Sequence, residues 1–213
     1  MKKIVLFDMD GTLTPARQPM PRNITNKLQT LQAAGFEIGI VTGSDLEYIK
    51  EQCKDLFGHF SLDRFSIHFL PCNGTKYYKF GDKGFNKIYQ KNMREELGES
   101  NWKRMSRIIT SLQLSLITNN KNIPLSGNFI SYRGSTLNWC PIGRQENDSD
   151  RSSWRLWDKH RWIRYRWLKN IREEFDASGL SNVVVKMGGD TSFDIYPEGW
   201  DKTFAFRNFE DYD

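Results

Sequence analysis

A short apolar run at residues 3–7 ends on an aspartate and leads at once into the turn-forming stretch Asp10-Gly11-Thr12. The run has β-branched content and no polar alternation, the pattern of a strand buried on both faces of a parallel sheet. Such a strand needs a crossover and a second strand beside it. Residues 15–23, with three prolines, read as a loop. Asn23 or Thr25 can then cap a helix through about Ala34, with Leu28, Leu31 and Ala34 on one side and Gly35 as its stop. Residues 36–41 form the second predicted strand, closing at Thr42-Gly43-Ser44. Residues 46–57 form a second helix before Gly58, and residues 65–70 a third strand that runs into Pro71-Cys72-Asn73-Gly74. Strands and helices alternating across short joints predict an α/β fold with a doubly wound parallel sheet.

The pattern changes after Gly81. A helix is predicted over 102–116, hairpin-like strands over 128–132 and 135–139 around Arg133-Gly134, a long basic helix over 154–175, and strands over 182–186 and 192–196. Paired strands with helices suggest an α+β insert. The expected division is therefore a core of residues 1–81 and 198–213 with an inserted cap of residues 82–197.

Charge narrows the partners less than it first promises. The chain has a formal net charge of +5, a balance that suits nucleic acid, an anionic surface or a small anionic substrate. Basic residues are densest between Arg151 and Arg172, interleaved with Trp154, Trp157, Trp162, Tyr165 and Trp167. However, Ile163, Trp167, Ile171 and Phe175 recur every four residues, a single helical stripe, so the arginines fall largely on the other faces. An amphipathic helix with a solvated basic side is the better reading, and neither nucleic acid nor membrane is the expected partner. No apolar run is long enough to cross a bilayer, and MKKIVLFD reads as a first strand rather than a signal peptide, so a cytoplasmic protein is expected. Cys53, Cys72 and Cys140 are widely spaced, without a CxxC pair, which points to free thiols rather than disulfides or a zinc site.

The chemistry centres on Asp8 and Asp10. A carboxylate at the top of a sheet is held rigidly by its strand, with an open loop above it, which suits a phosphoryl acceptor. A second carboxyl group two residues on can act as acid and base at the same opening. Gly11 lets the chain turn sharply and bring backbone N–H groups near a phosphate, and Thr12 adds a hydroxyl donor. Two carboxylates would repel a phosphate dianion unless a cation sat between them, so Mg²⁺ is implied.

The run DMDGTLT resembles the nucleophile motif DxDGT[LT] of the haloacid-dehalogenase superfamily. IVTGSD supplies that superfamily's second motif through Thr42 and Ser44, and PEGWDK its lysine, Lys202. The finer pattern, including NFISYRGSTLNWCPIGR, RWLKNIREEF and GGDTSFDIYPEGWDK, resembles the eukaryotic-type phosphomannomutase family over almost the whole chain. The resemblance implies a HAD-like core with a cap that closes over a hexose phosphate. It also implies interconversion of mannose 6-phosphate and mannose 1-phosphate for GDP-mannose synthesis. Asp8 matches the aspartyl-phosphate nucleophile, Asp10 the general acid/base, and both the Mg²⁺ site. Lys202 matches the lysine that steadies the phosphorylated nucleophile. Arg17, Arg133, Arg144 and Arg151 match the substrate-binding arginines, and Ser192 and Asp194 the residues that hold sugar hydroxyls and phosphate. A hexose 1,6-bisphosphate activator and a homodimer through the cap are further implications. The arginine set agrees with elementary chemistry, since a hexose bisphosphate carries up to about four negative charges and guanidinium forks grip phosphate oxygens in pairs.

One element of the superfamily pattern is missing. No GD…GGND segment follows Lys202, so the expectation is Mg²⁺ held by Asp8 and the Asp10 carbonyl with water elsewhere, and a core sheet short of a strand. A fragment of a longer chain, completion by a partner, or divergence toward low activity would each account for it. The alternatives to a mutase are accordingly a non-catalytic sugar-phosphate-binding homologue and a HAD phosphatase.

Overall fold

The N-terminal apolar run forms β1 (Lys3–Asp8), and the crossover it requires is α1 (Arg22–Ala33), returning to β2 (Phe36–Val41) in parallel with β1. In the computed structural model, residues 2–15, 18–58, 63–81, 83–120 and 123–212 are described, except for the Arg64 side chain. The chain divides into two units, Met1–Lys91 with Gly199–Asp213, and Asn92–Glu198.

In the first unit α2 (Leu46–Gln52) and α3 (Lys54–Gly58) lead to β3 (Ile67–Leu70), parallel to β2. A hairpin, β4 (Lys76–Gly81) and β5 (Gly84–Gln90), then extends the sheet antiparallel, giving the order β1-β2-β3-β4-β5. Strand alternation sorts the side chains onto two faces. Ile38, Ile40, Ile67 and Phe69 pack with Leu28 of α1, Ile49 of α2 and Leu56 of α3. Val41 and Leu70 face the other way, against Ala205 and Phe209 of the C-terminal segment, flanked by Ile4, Leu6, Tyr77 and Tyr212. The three cysteines are free and buried.

Several boundaries differ from expectation. Pro21 occupies the N-cap of α1 in an extended conformation and makes no side-chain capping bond; neither Asn23 nor Thr25 caps it, and Thr25 is buried. The predicted helix 46–57 divides at Cys53, whose φ of −106° and ψ of 21° leave the helical range. The boundary expected at Gly81 falls inside the β4–β5 hairpin, and the first unit runs on to Lys91.

The second unit opens with α4 (Met93–Asn119), interrupted at Gly98 by a φ of 75°. β6 (Ile130–Tyr132) and β7 (Leu137–Trp139) follow, then α5 (Asp148–Arg161), α6 (Ile163–Ala177), β8 (Val183–Gly188) and β9 (Ser192–Pro197). Its antiparallel sheet has the order β6-β7-β9-β8. One sheet face stacks Trp139 on Phe193 with ring centroids 5.1 Å apart and carries Trp167 of α6 beside Trp139. Ile163, Ile171 and Phe175 of the predicted stripe are buried in α6. The single long helix predicted for 154–175 is instead two, because Trp162 adopts left-handed φ and ψ of 52° and 39° between them. The opposite sheet face carries Asn138, Ser192 and Asp194. Among the described residues no helix is long and apolar enough to cross a membrane.

Candidate active site

Asp8 is the last residue of β1, and its two carboxylate oxygens have different partners. Oδ1 accepts from the Met9 N–H at 2.7 Å, and Oδ2 stands 2.6 Å from Lys202 Nζ. Both side chains remain half-exposed, so the pair is open to a ligand. Asp10 Oδ1 accepts from the Tyr48 hydroxyl at 2.8 Å. Between Met9 and Thr14 the chain closes a tight turn with Gly11 at a φ of 79°. The Met9 carbonyl accepts from the N–H groups of Thr12, Leu13 and Thr14, and the Gly11 N–H donates to Thr14 O. The Gly11 and Thr12 N–H groups therefore close the turn.

Three loops at the carboxyl ends of the parallel strands hold these groups in place, the position at which open α/β sheets bind ligands. Thr42, directly after β2, is buried, and its Oγ1 accepts from the Ser44 N–H at 3.1 Å. The Asn73 N–H donates to Thr42 O, and the Cys72 N–H to Ser44 O, both at 2.8 Å. Asn73 Nδ2 reaches on to Trp200 O at 3.3 Å. Gly74 is needed at this crossing: its φ is 84°, and a Cβ there would lie 2.7 Å from Ala205 Cα. Lys202 opens a 3₁₀ segment, Lys202–Asn208, with Asp201 as its N-cap. The structure thus brings Asp8, Asp10, Thr42, Ser44 and Lys202 into one set of adjoining loops. Arg17 lies outside the described residues.

Asp8 and Asp10 are the candidate ligands for a divalent cation. Among the described residues no group of three or more His, Cys, Asp or Glu is arranged to hold a metal. The Asp8 carboxylate with the Asp10 carbonyl nonetheless fits Mg²⁺, which is commonly held by one or two carboxylates with waters and substrate phosphates in its other places. Cys53 offers no thiolate in competition, because burial, with the Asp10 charge adding to it, pushes its thiol up to about 12.

The remaining predicted residues lie in the second unit. Asn138 and Asp194 face each other across β7 and β9, and Asn138 Nδ2 donates to Asp194 Oδ1 at 2.7 Å and to Ser192 Oγ at 3.0 Å. Ser192 Oγ in turn donates to Gly188 O at 2.6 Å, so its hydroxyl is engaged as both donor and acceptor. Arg144 Nη1 donates to Asn138 Oδ1, which gathers Arg144, Ser192 and Asp194 on one polar sheet face. Arg151 Nη2 donates to Thr191 Oγ1 at 3.0 Å, on the β8–β9 turn. Arg133 sits in the β6–β7 turn, its N–H donating to Thr136 O at 2.8 Å. The β8–β9 turn is clamped from behind by Arg164, which donates to Gly189 O and Ser192 O and pairs with buried Asp158 at 2.7 Å.

Tyr48 and Asn138, which hydrogen-bond the predicted residues Asp10, Arg144, Ser192 and Asp194, were not among the candidates from the sequence. The only signals were weak ones: Tyr48 is three residues after the N-cap Asp45, and Asn138 is the polar member of an apolar strand.

Comparison with known proteins gives the family and the fold. The sequence model of the family described as eukaryotic phosphomannomutase matches residues 24–213. The phosphomannomutase of Schizosaccharomyces pombe is 34% identical over 210 residues, 98% of this chain and 76% of that protein. Phosphomannomutase 1 of Homo sapiens is 34% identical over 207 residues, 97% of this chain and 73% of that protein. The chain therefore spans about three quarters of the length of these relatives. Of solved structures, Plasmodium falciparum IMP-nucleotidase is similar with a TM-score of 0.63 at 11% identity, over 96% of this chain and 49% of that one. The C-terminal domain of C. albicans trehalose-6-phosphate phosphatase is similar with a TM-score of 0.57 at 16% identity, over 94% of this chain and 59% of that one. At such identities the structural likeness concerns the fold alone.

Proposed function

This chain belongs to the eukaryotic phosphomannomutase family, and we propose that its two units divide that family's reaction between chemistry and grip. Its activity is that of a phosphomannomutase, an isomerase that interconverts mannose 6-phosphate and mannose 1-phosphate, on a HAD-like α/β fold with an α+β cap. The first unit supplies the chemistry. Asp8, phosphorylated, gives its phosphoryl group to a hydroxyl of the hexose monophosphate: the bond to the Asp8 oxygen breaks as that to the hydroxyl oxygen forms, and Asp10 takes the hydroxyl proton. The hexose 1,6-bisphosphate so formed turns around and returns its other phosphoryl group to Asp8, while Asp10 gives the proton back to the departing oxygen. Added hexose 1,6-bisphosphate primes Asp8 in the same way.

Asp8 and the Asp10 carbonyl would hold Mg²⁺, which when bound would supply the charge neutralisation that lets a carboxylate approach a phosphate. Lys202 steadies the Asp8 oxygen that does not attack, and Arg17, Thr42 and Ser44 hold the transferring group. In the second unit Arg133, Arg144 and Arg151 carry the phosphate that is not reacting, and Ser192 and Asp194 orient the sugar. Positioning and charge stabilisation are what phosphoryl transfer asks of a protein.

The observation that carries the reading is the 2.6 Å contact between Lys202 Nζ and Asp8 Oδ2, made by residues from opposite ends of the chain. Incubation of the chain with mannose 1-phosphate, hexose 1,6-bisphosphate and Mg²⁺ should yield mannose 6-phosphate, and Asp8→Asn should abolish the product. Turnover that survives Asp8→Asn would exclude Asp8 as the nucleophile, and binding without turnover in the parent chain would leave only the grip.

A further inference from the structure

The sheet face that carries Asp194 also buries a polar residue for which the reaction above has no use. Asn138 is 3% exposed, stands directly opposite Asp194 in the β7–β9 register, and joins two residues of opposite charge. Its Oδ1 accepts from the Arg144 guanidinium, and its Nδ2 donates to Asp194 Oδ1 at 2.7 Å and to Ser192 Oγ at 3.0 Å. A carboxamide does this from one short side chain at any pH, because it offers an acceptor at one end and donors at the other and does not ionise. A guanidinium and a carboxylate one carboxamide's width apart would otherwise close on each other as an ion pair, each then cancelling the other's pull on a ligand.

The other side of the Asp194 carboxylate is shaped to match. A Cβ at residue 188 would lie 2.6 Å from Asp194 Oδ2, so the glycine there leaves the carboxylate its place.

We propose that Asn138 is a positioning residue, which bridges Arg144 and Asp194 and thereby fixes both toward an anionic hexose. The inference rests on the substrate-binding role proposed above for Arg144 and Asp194. Asn138 does not itself touch the reacting atoms.

Asn138→Asp tests it, because that variant keeps the size and adds a proton that can be removed. Protonated, the new carboxyl group still accepts from Arg144 and donates to Asp194; ionised, it pairs with Arg144 and repels Asp194. Binding of mannose 1-phosphate to the full chain is measured by titration calorimetry at about pH 8 and about pH 5, always against the parent chain at the same pH, with thermal melts alongside. Relative to the parent, Asn138→Asp should bind about tenfold more weakly at the higher pH and regain most of that at the lower. Asn138→Ala should be about tenfold weaker at both. A general loss of fold would lower the melting temperature and weaken binding at both pH values.

A ratio for Asn138→Asp that does not change with pH, or parent-like binding by Asn138→Ala, overturns the inference. Arg144→Ala separates the two layers. If it alone loses binding, the substrate-binding reading stands and the role of Asn138 falls; if it too binds like the parent, both fall.

Discussion

The two aspartates of the DxD run are chemically alike, and their neighbours make them different. Asp8 has a cation on one oxygen and a backbone N–H on the other, which fixes a carboxylate as a nucleophile must be fixed. Asp10 has a neutral phenol, Tyr48, at 2.8 Å, which orients a carboxyl group without adding a charge that would oppose protonation. Tyr48→Phe should therefore reduce kcat about tenfold, the scale of one hydrogen bond to a charged group, and leave KM little changed. Steady-state kinetics decide it, and an unchanged kcat would mean that Asp10 is oriented by something else. Asp8, Asp10, Thr42, Ser44 and Lys202 were legible in the sequence because each lies within a short local motif. Tyr48 and Asn138 were not, since their roles depend on where the first turn of α2 returns to β1 and on the register of β7 against β9. Neither relation is local in sequence.

At the scale of elements, the sheet face away from α1–α3 holds a polar chain centred on buried His68. His68 Nε2 faces Glu37 Oε2 at 2.6 Å, its Nδ1 faces the Tyr77 hydroxyl at 2.7 Å, and the Tyr212 hydroxyl donates to Glu37 Oε2 at 3.1 Å. Burial pushes the His68 imidazole below 6.5 despite the opposing Glu37 hydrogen bond, and the Lys79 charge adds to the lowering. Burial pushes the Glu37 carboxyl up, but hydrogen bonds from His68 and Tyr212 with the charges of His68 and Lys2 outweigh it, leaving it below 4.5. A neutral imidazole donating from Nε2 to Glu37 and accepting at Nδ1 from Tyr77 satisfies every contact.

Both groups have folded values below their unfolded ones, so the unfolded chain binds more protons on acidification and stability falls with pH. The melting temperature should be level only between about pH 7 and about pH 8, below the range in which the unfolded Cys53 thiol ionises, fall as pH drops below 6.5, the ordinary histidine value, and fall again below 4.5. His68→Gln should remove the first limb and weaken the second, since His68 supplies the largest lowering influence on Glu37. A melting temperature that rises from pH 7 to 5.5 would instead show a charged His68–Glu37 ion pair. Element type was readable where hydrophobic period declares it. Element ends were less so: the break at Trp162 has no glycine or proline to announce it, and the carbonyls that clamp Arg164 there come from a distant turn.

At the scale of the whole chain, one unit is continuous and the other is assembled from two segments. The sequence showed that an insert exists but placed its start ten residues early, since the stretch after Gly74 has no continuous apolar run. An antiparallel edge hairpin with half-exposed faces needs none, and β5 is mostly exposed or half-exposed.

The continuous unit closes on itself at both ends. Asn92 Oδ1 accepts from the Arg94 and Glu95 N–H groups at the head of α4, and the Glu198 N–H donates to Asn182 O at 2.8 Å. Its core, with Trp139, Phe175 and Phe193 all buried, is its own. A segment of this size with its own core and capped ends meets the conditions for independent folding. Residues 92–198 expressed alone should therefore melt cooperatively and bind mannose 1-phosphate through Arg144 and Asp194, with no turnover because Asp8 is absent. Calorimetry on that fragment, with Arg144→Ala as its control, checks both claims. A broad, non-cooperative melt would mean that the core of this unit is not sufficient, while a cooperative melt without binding would show that the grip requires residues of the first unit.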